Sequence, residues 1–109
     1  MTESIFDLQA ELCQTMSNAT RLRIVHALHD GPQCVGKLGE ALELDQAKVS
    51  HHLAILRSRG IVTATRQGTE VIYQITNPKI ETICDLMREV LAEQAALRTE
   101  MIQLLRRGR

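Results

Sequence analysis

Apolar positions recur along this 109-residue chain first with the period of a helix, then of a strand, then of a helix again. Ile5, Leu8, Leu12 and Met16 step by threes and fours and predict an amphipathic helix over about 3–16. "MSNATRLRIVHALHDG" restarts the pattern: Ser17 or Asn18 can cap it, Leu22, Val25 and Leu28 make its buried stripe, and Gly31-Pro32 stops it. A third helix of about two turns, near 34–42, buries Val35, Leu38 and Leu42. Asp45 then caps a fourth, over about 45–59, with Val49, Leu53 and Leu56 facing inward and Gly60 ending it.

After Gly60 the period falls to two. "IVTATRQ" and "EVIYQIT" read as short strands joined around Gln67-Gly68, a hairpin. Pro78 suits the first turn of a last helix over about 78–107. Its apolar positions Ile80, Ile83, Met87, Val90, Leu97, Met101 and Leu104 advance by threes and fours, interrupted at Gln94. Such a helix is about 45 Å long at 1.5 Å per residue, longer than the body of so small a domain. An apolar seam projecting beyond its own core needs a partner, and a second copy of the chain is the simplest one.

The order of elements is that of a winged helix-turn-helix: mainly α with a small β-hairpin, five helices, order α-α-α-α-β-β-α. The whole of 1–109 makes one DNA-binding domain with a long C-terminal dimerisation helix. The third and fourth helices are joined only by "ELD", a turn that throws the second across the first and leaves its N-terminal half exposed. A helix so exposed fits the major groove of B-DNA. Gln46 can pair with adenine, Lys48 can reach guanine or a phosphate, and Ala47 can touch a thymine methyl. Ser50 and His51 can donate to a guanine or a phosphate, and His52 is partly buried or faces a phosphate. Read alone, the same residues describe an ordinary solvated helix face. The hairpin tip changes that balance, because Arg66, Gln67 and Thr69 stand where a wing meets the minor groove or backbone, with Arg57 and Arg59 close by.

Composition narrows the partner. Hydrophobic residues are 44% and charged residues 24%, which suits a globular chain and not a disordered one. Aromatics are 2%, Phe6 and Tyr73 without any Trp, which argues against folds that stack single-stranded bases on aromatic platforms. Thirteen basic and thirteen acidic residues balance, so the case for a polyanion partner rests on where the charges sit. Arg106, Arg107 and Arg109 crowd the end of the chain. There is no phosphate-cradling glycine loop, carboxylate pair or nucleophile elbow to suggest an enzyme. No apolar run reaches the roughly 18 residues of a membrane span, and the acidic, amphipathic N-terminus is unlike a signal peptide, so a cytoplasmic location is expected.

The stretch "MSNATRLRIVHALHDGPQCVGKLGEALELDQAKVSHHLAILRSRGIVTATRQGTEVIYQIT" resembles the ArsR/SmtB family of bacterial metal- and stress-responsive repressors. "SNATRLRI", "KVSHHLAILRSRGIV" and "RQGTEVIYQIT" look like that family's second helix, recognition helix and wing. The resemblance implies a homodimer through the first and last helices, here Leu8, Leu12, Ile83, Met87, Val90, Leu97 and Met101. It also implies two recognition helices on successive turns of a palindromic double-stranded operator, and release by a small inducer.

The inducer has to be read from what is missing. Zinc-sensing members carry an Asp and a His, then a His and an acid, on the last helix; the matching places hold Asn77, Lys79, Val90 and Glu93, and that site is expected to be absent. Arsenic-sensing members carry "CVC" at the third helix, where this chain has "CVG": Cys34 remains and Gly36 replaces the second thiol. An As(III) site or another thiophilic ion site would have to recruit Cys13, Cys84 or a partner's cysteine. Alternatively Cys34, beside a helix N-terminus that favours a thiolate, reacts with an oxidant or a sulfur species. A plain structural role also fits each cysteine, for Cys84 as a packed core residue and for Cys13 at the edge of a buried stripe. His26 and His29 share a helix face and are either surface residues or, with a third ligand, a zinc pair. A winged-helix module that only binds protein is the alternative of another class.

Overall fold

The computed structural model describes residues 3–107. Five helices and a three-stranded sheet follow one another as α1 (Ile5–Met16), α2 (Ala19–Ala27), β1 (Gln33–Cys34), α3 (Val35–Leu42), α4 (Gln46–Ser58), β2 (Val62–Gln67), β3 (Glu70–Ile75) and α5 (Pro78–Arg107). This is the predicted winged helix-turn-helix. Arg109 lies outside the described residues.

Each helix begins where a short polar side chain can serve its free N–H groups. Ser4 and Asp7 form a reciprocal capping box on α1, which therefore starts at Ile5, two residues later than the apolar pattern predicts. Those bonds to Ser4 hold the Asp7 carboxyl below its ordinary pKa. Asn18, one of the two predicted candidates, caps α2 by accepting from the Arg21 N–H at 3.0 Å, while Ser17 closes α1. Asp45 caps α4 through the Lys48 N–H at 2.7 Å. Asn77 accepts from the Lys79 N–H at 3.0 Å at the root of α5, one residue before Pro78.

The end of α4 sets the direction of the wing. Ile61 N–H donates to the Leu56 carbonyl at 2.9 Å and Gly60 N–H to that of Arg57 at 3.0 Å, with Gly60 at φ 76. This is the Schellman pattern, and its apolar partners Leu56 and Ile61 are both buried. The chain then enters β2, which pairs antiparallel with β3 around the turn Gly68-Thr69. Sequence reading missed β1: Gln33 and Cys34 pair with Tyr73 and Ile72, giving the order β1-β3-β2.

The core lies between α2, α3, α4, the base of the wing and the root of α5: Ile24, Val25, Leu28, Leu38, Val49, Leu53, Leu56, Ile61, Val62 and Cys84. Two expectations need correction. Ile24 is fully buried and Leu22 only half-buried, so the stripe of α2 is Ile24, Val25 and Leu28. Val35 and Leu42 on α3 are also half-buried, around a fully buried Leu38. After Ala27 the chain tightens into a 3-10 turn at Leu28–Asp30, from which His29 Nδ1 reaches Glu81 Oε2 of α5 at 2.7 Å.

That exposed ion pair ties the end of α2 to the root of α5, and the Glu81 carboxylate raises the His29 pKa above its ordinary value near 6.5. A folded-state pKa raised above the unfolded one stabilises the fold below about pH 6.5, and the gain fades as pH rises through the folded value. Glu81→Gln should therefore melt below wild type near pH 6, and the gap should narrow above pH 8. A gap unchanged with pH would mean that the contact contributes by packing alone.

Candidate nucleic-acid interface

The pitch of α4 sorts its side chains. Val49, Leu53 and Leu56 are fully buried and His52 nearly so, while Gln46, Ala47, Lys48, Ser50 and His51 are all exposed. The turn from α3 is Glu43-Leu44-Asp45, the predicted "ELD", with Glu43 in the left-handed region at φ 56. Leu44 N–H donates to the Gly39 carbonyl at 3.0 Å and Glu43 N–H to that of Glu40 at 3.3 Å, so α3 ends on the same Schellman pattern. The first two turns of α4 are thus held rigidly at the surface by a closed turn, a side-chain cap and a buried opposite edge.

Ala47, Ser50 and His51 point away from the core with no hydrogen-bond partner among the described residues. Gln46 differs. A Cβ added at Gly36 would lie 3.7 Å from Gln46 Nε2, and one added at Gly39 3.7 Å from its Cγ, so this side chain leans along α3. To span an adenine edge it must swing outward. Arg57 is exposed in the last turn of α4, far along the helix from the N-terminal group, and suits a backbone phosphate better than a base. Arg66, Gln67 and Thr69 are exposed around the wing tip, where Arg66 Nε approaches the Gly68 carbonyl at 3.4 Å.

His52 was expected to be partly buried or to face a phosphate. It is 9% exposed, and its Nδ1 lies 3.4 Å from Arg21 Nη1. Burial, Arg21, His51 and Lys48 push its pKa below the ordinary value, so the ring is neutral at physiological pH. Arg21 carried no role in the sequence reading. Its signal was weak: one of two arginines in "TRLR", set 31 residues from the histidine that it meets.

The three cysteines occupy three environments. Cys13 is exposed on α1, along an open groove with Phe6, Gln9, Ala10, Gln14 and Ser17. Cys34 is half-buried at the N-cap of α3 and makes no capping hydrogen bond. Cys84 is buried at 4% exposure, and burial pushes its thiol pKa up. All three are free thiols within one chain. Among the described residues no three Cys, His, Asp or Glu side chains gather where a metal ion could be held. His29 faces Glu81, and His26 is exposed.

The residues expected at a dimer interface share one property, exposure on apolar faces. Leu8 and Leu12 on α1 are 47% and 38% exposed, and Ile83, Met87, Val90, Leu97 and Met101 on α5 lie between 46% and 63%. Phe6, Leu91, Leu104 and Leu105 extend the same surfaces. So many large apolar side chains exposed on two helices are the mark of an interaction surface. Among the described residues no helix is long and apolar enough to cross a membrane.

Comparison with known proteins agrees with this architecture. Residues 18–64 match the family described as "Bacterial regulatory protein, arsR family". The uncharacterized HTH-type transcriptional regulator Rv0081 of Mycobacterium tuberculosis is 32% identical over 108 residues, 98% of this chain and 95% of that protein. Its crystal structure superposes with a TM-score of 0.79 over 90% of this chain and 99% of that one. The transcriptional repressor PagR of Bacillus anthracis is 38% identical over 82 residues, 74% of this chain and 82% of that protein. A homodimeric winged helix-turn-helix DNA-binding domain of Mycobacterium bovis superposes with a TM-score of 0.75 at 27% identity, covering 84% of each chain. With helix-turn-helix, wing and long last helix matched from end to end, this chain belongs to the arsR family of bacterial regulatory proteins and is a winged helix-turn-helix transcriptional regulator.

Proposed function

We propose that the protein is a homodimeric repressor that reads a palindromic operator with α4 and the wing, and that a thiol-directed inducer releases it. The observation that carries the reading is the division of labour on the surface: one rigid polar edge on α4, and apolar faces on α1 and α5 that no other described residue covers. Two copies joined through those faces present two copies of α4, and a two-fold protein matches a two-fold site. Ala47, Ser50 and His51 read the major groove, Gln46 joins them by swinging out from α3, and Lys48, Arg57, Arg66, Gln67 and Thr69 hold the backbone. Repression is what the name of the Bacillus anthracis relative states of that protein, and we extend it to this one.

The inducer acts, on this reading, at Cys34 and Cys13 and not at Cys84, whose thiol is enclosed in the core. Arsenite needs two or three thiolates at one place. Among the described residues no group of three ligands gathers, so a three-thiolate arsenite site has to draw on both protomers. A sulfur or oxidant species needs only one reactive thiol.

Three outcomes are expected. Lys48→Ala or His51→Ala should weaken operator binding by about 1–3 kcal/mol with the melting temperature retained, and unchanged affinity in both would remove α4 from the interface. Leu97→Glu should sediment as a monomer and bind the operator weakly; a stable dimer would displace the seam from α5. Reduced protein bound to DNA from upstream of its own gene should be released by arsenite or by a persulfide, and Cys34→Ser should abolish the release. A variant lacking all three cysteines that still responds like wild type would rule out a thiol inducer.

A further inference from the structure

Among the described residues only two polar side chains are buried, Thr15 and His52, and a single arginine joins their residues. Arg21 Nε donates to the Thr15 carbonyl at 2.6 Å, in the last turn of α1, while Nη1 faces His52 Nδ1 on α4. The Arg21 backbone is itself fixed by the Asn18 cap. The guanidinium therefore has little freedom, and what it imposes on the ring follows from its chemistry. Arginine stays protonated and offers only donors, so the ring nitrogen that faces it has to accept. Nδ1 then carries the lone pair, and a neutral ring keeps its proton on Nε2. No buried polar side-chain atom among the described residues lacks a partner, and none of them bonds His52 Nε2, so Nε2 is the ring nitrogen that reaches the surface. It does so on the recognition helix, one turn after Lys48.

Resting on the reading of α4 as the recognition helix, we propose that His52 is an uncharged hydrogen-bond donor to the DNA backbone, and that Arg21 is the positioning residue that fixes its ring in the Nε2–H tautomer. At 3.4 Å the contact is long, and its effect is orientation more than binding energy. The recognition helix thereby gains a phosphate contact that carries no charge, beside the charged one of Lys48.

The ring can be read directly. Long-range proton–nitrogen spectra of the wild-type protein at neutral pH should show His52 protonated at Nε2 and bare at Nδ1, with the Nε2–H signal shifting on addition of DNA. The opposite tautomer, or a signal indifferent to DNA, would overturn the proposal without any variant. Arg21→Met, which keeps an apolar stem and removes every donor, should give a mixture of tautomers. Binding is then followed on a duplex that the protein selects from a randomised pool. His52→Asn should lose roughly three- to tenfold in affinity, the worth of one hydrogen bond, and His52→Gln, whose amide reaches the Nε2 position, should recover most of that loss. The salt dependence of His52→Asn should equal that of wild type, since a neutral ring releases no counterion, whereas Lys48→Ala should flatten it by about one phosphate. If Lys48→Ala and His51→Ala both change nothing, the recognition-helix reading has failed. If Lys48→Ala weakens binding while His52→Asn binds like wild type, the failure belongs to His52 alone.

Discussion

Three side chains along one edge of α4, Val49, Leu53 and Leu56, support everything else in the domain. All three are fully buried, and each such leucine truncated to alanine in a comparable core costs about 2–5 kcal/mol. The helix that meets the outside world is therefore also the centre of the core. A helix of 3.6 residues per turn permits this, because positions three and four apart share an edge and leave the opposite edge free. The low aromatic content belongs to the same economy: small branched side chains let α2, α3 and α4 approach closely around that edge, and the turn Glu43-Leu44-Asp45 needs no longer spacer.

What the core does not use is as informative. The apolar positions of α5 fall on a heptad rhythm, Ile83, Met87, Val90, Leu97, Met101 and Leu104, with Gln94 in the same series. Ile80 and Cys84 at the root of the helix pack on the domain, and beyond them the seam faces solvent. The wing and the helix-turn-helix pack around their own core, and no described residue covers that seam. A polar residue within such a series costs stability and restricts the registers that a partner helix can adopt, and Gln94 occupies such a position.

Most of this was legible in the sequence because it depends on periods and caps, which are local. Asp45, Asn18 and Pro78 mark helix starts that the structure keeps, and α5 begins at Pro78 and runs to the last described residue, Arg107. Ile24 was missed because spacing by threes favoured Leu22. Around a helix at about 100° per residue, Ile24 lies nearer the centre of the stripe formed with Val25 and Leu28. Strand β1 is two residues long, too short to display a period, and exists only because Tyr73 and Ile72 lie alongside. The pairs Arg21–His52 and His29–Glu81 span 31 and 52 positions, and nothing local in a sequence announces them. In the candidate site, the residues of α4 and the wing tip could be named in advance, but the lean of Gln46 onto α3 could not. Gly36, beside which the Gln46 amide lies, is also the position that removes the second thiol of a "CVC" motif.

Those long-range pairs also bear on how a regulator of this shape can be switched. The helix-turn-helix is held by apolar burial worth several kcal/mol per side chain. Polar contacts join the dimer-side helices to it: Thr15–Arg21–His52 from α1, and His29–Glu81 from α5 beside the packing of Ile80 and Cys84. A hydrogen bond contributes about 0.5–1.5 kcal/mol net, so loosening one such tie costs far less than disturbing the core. In a dimer joined through α1 and α5, two recognition helices must keep a fixed spacing to engage both half-sites. One route from the α1 surface, where Cys13 lies, to α4 runs through Arg21, and coupling between sites typically takes about 1–3 kcal/mol. The domain can then remain folded throughout while its grip on DNA changes, because the polar ties to the dimer helices are weak beside the apolar core, in which Cys84 of α5 keeps its place.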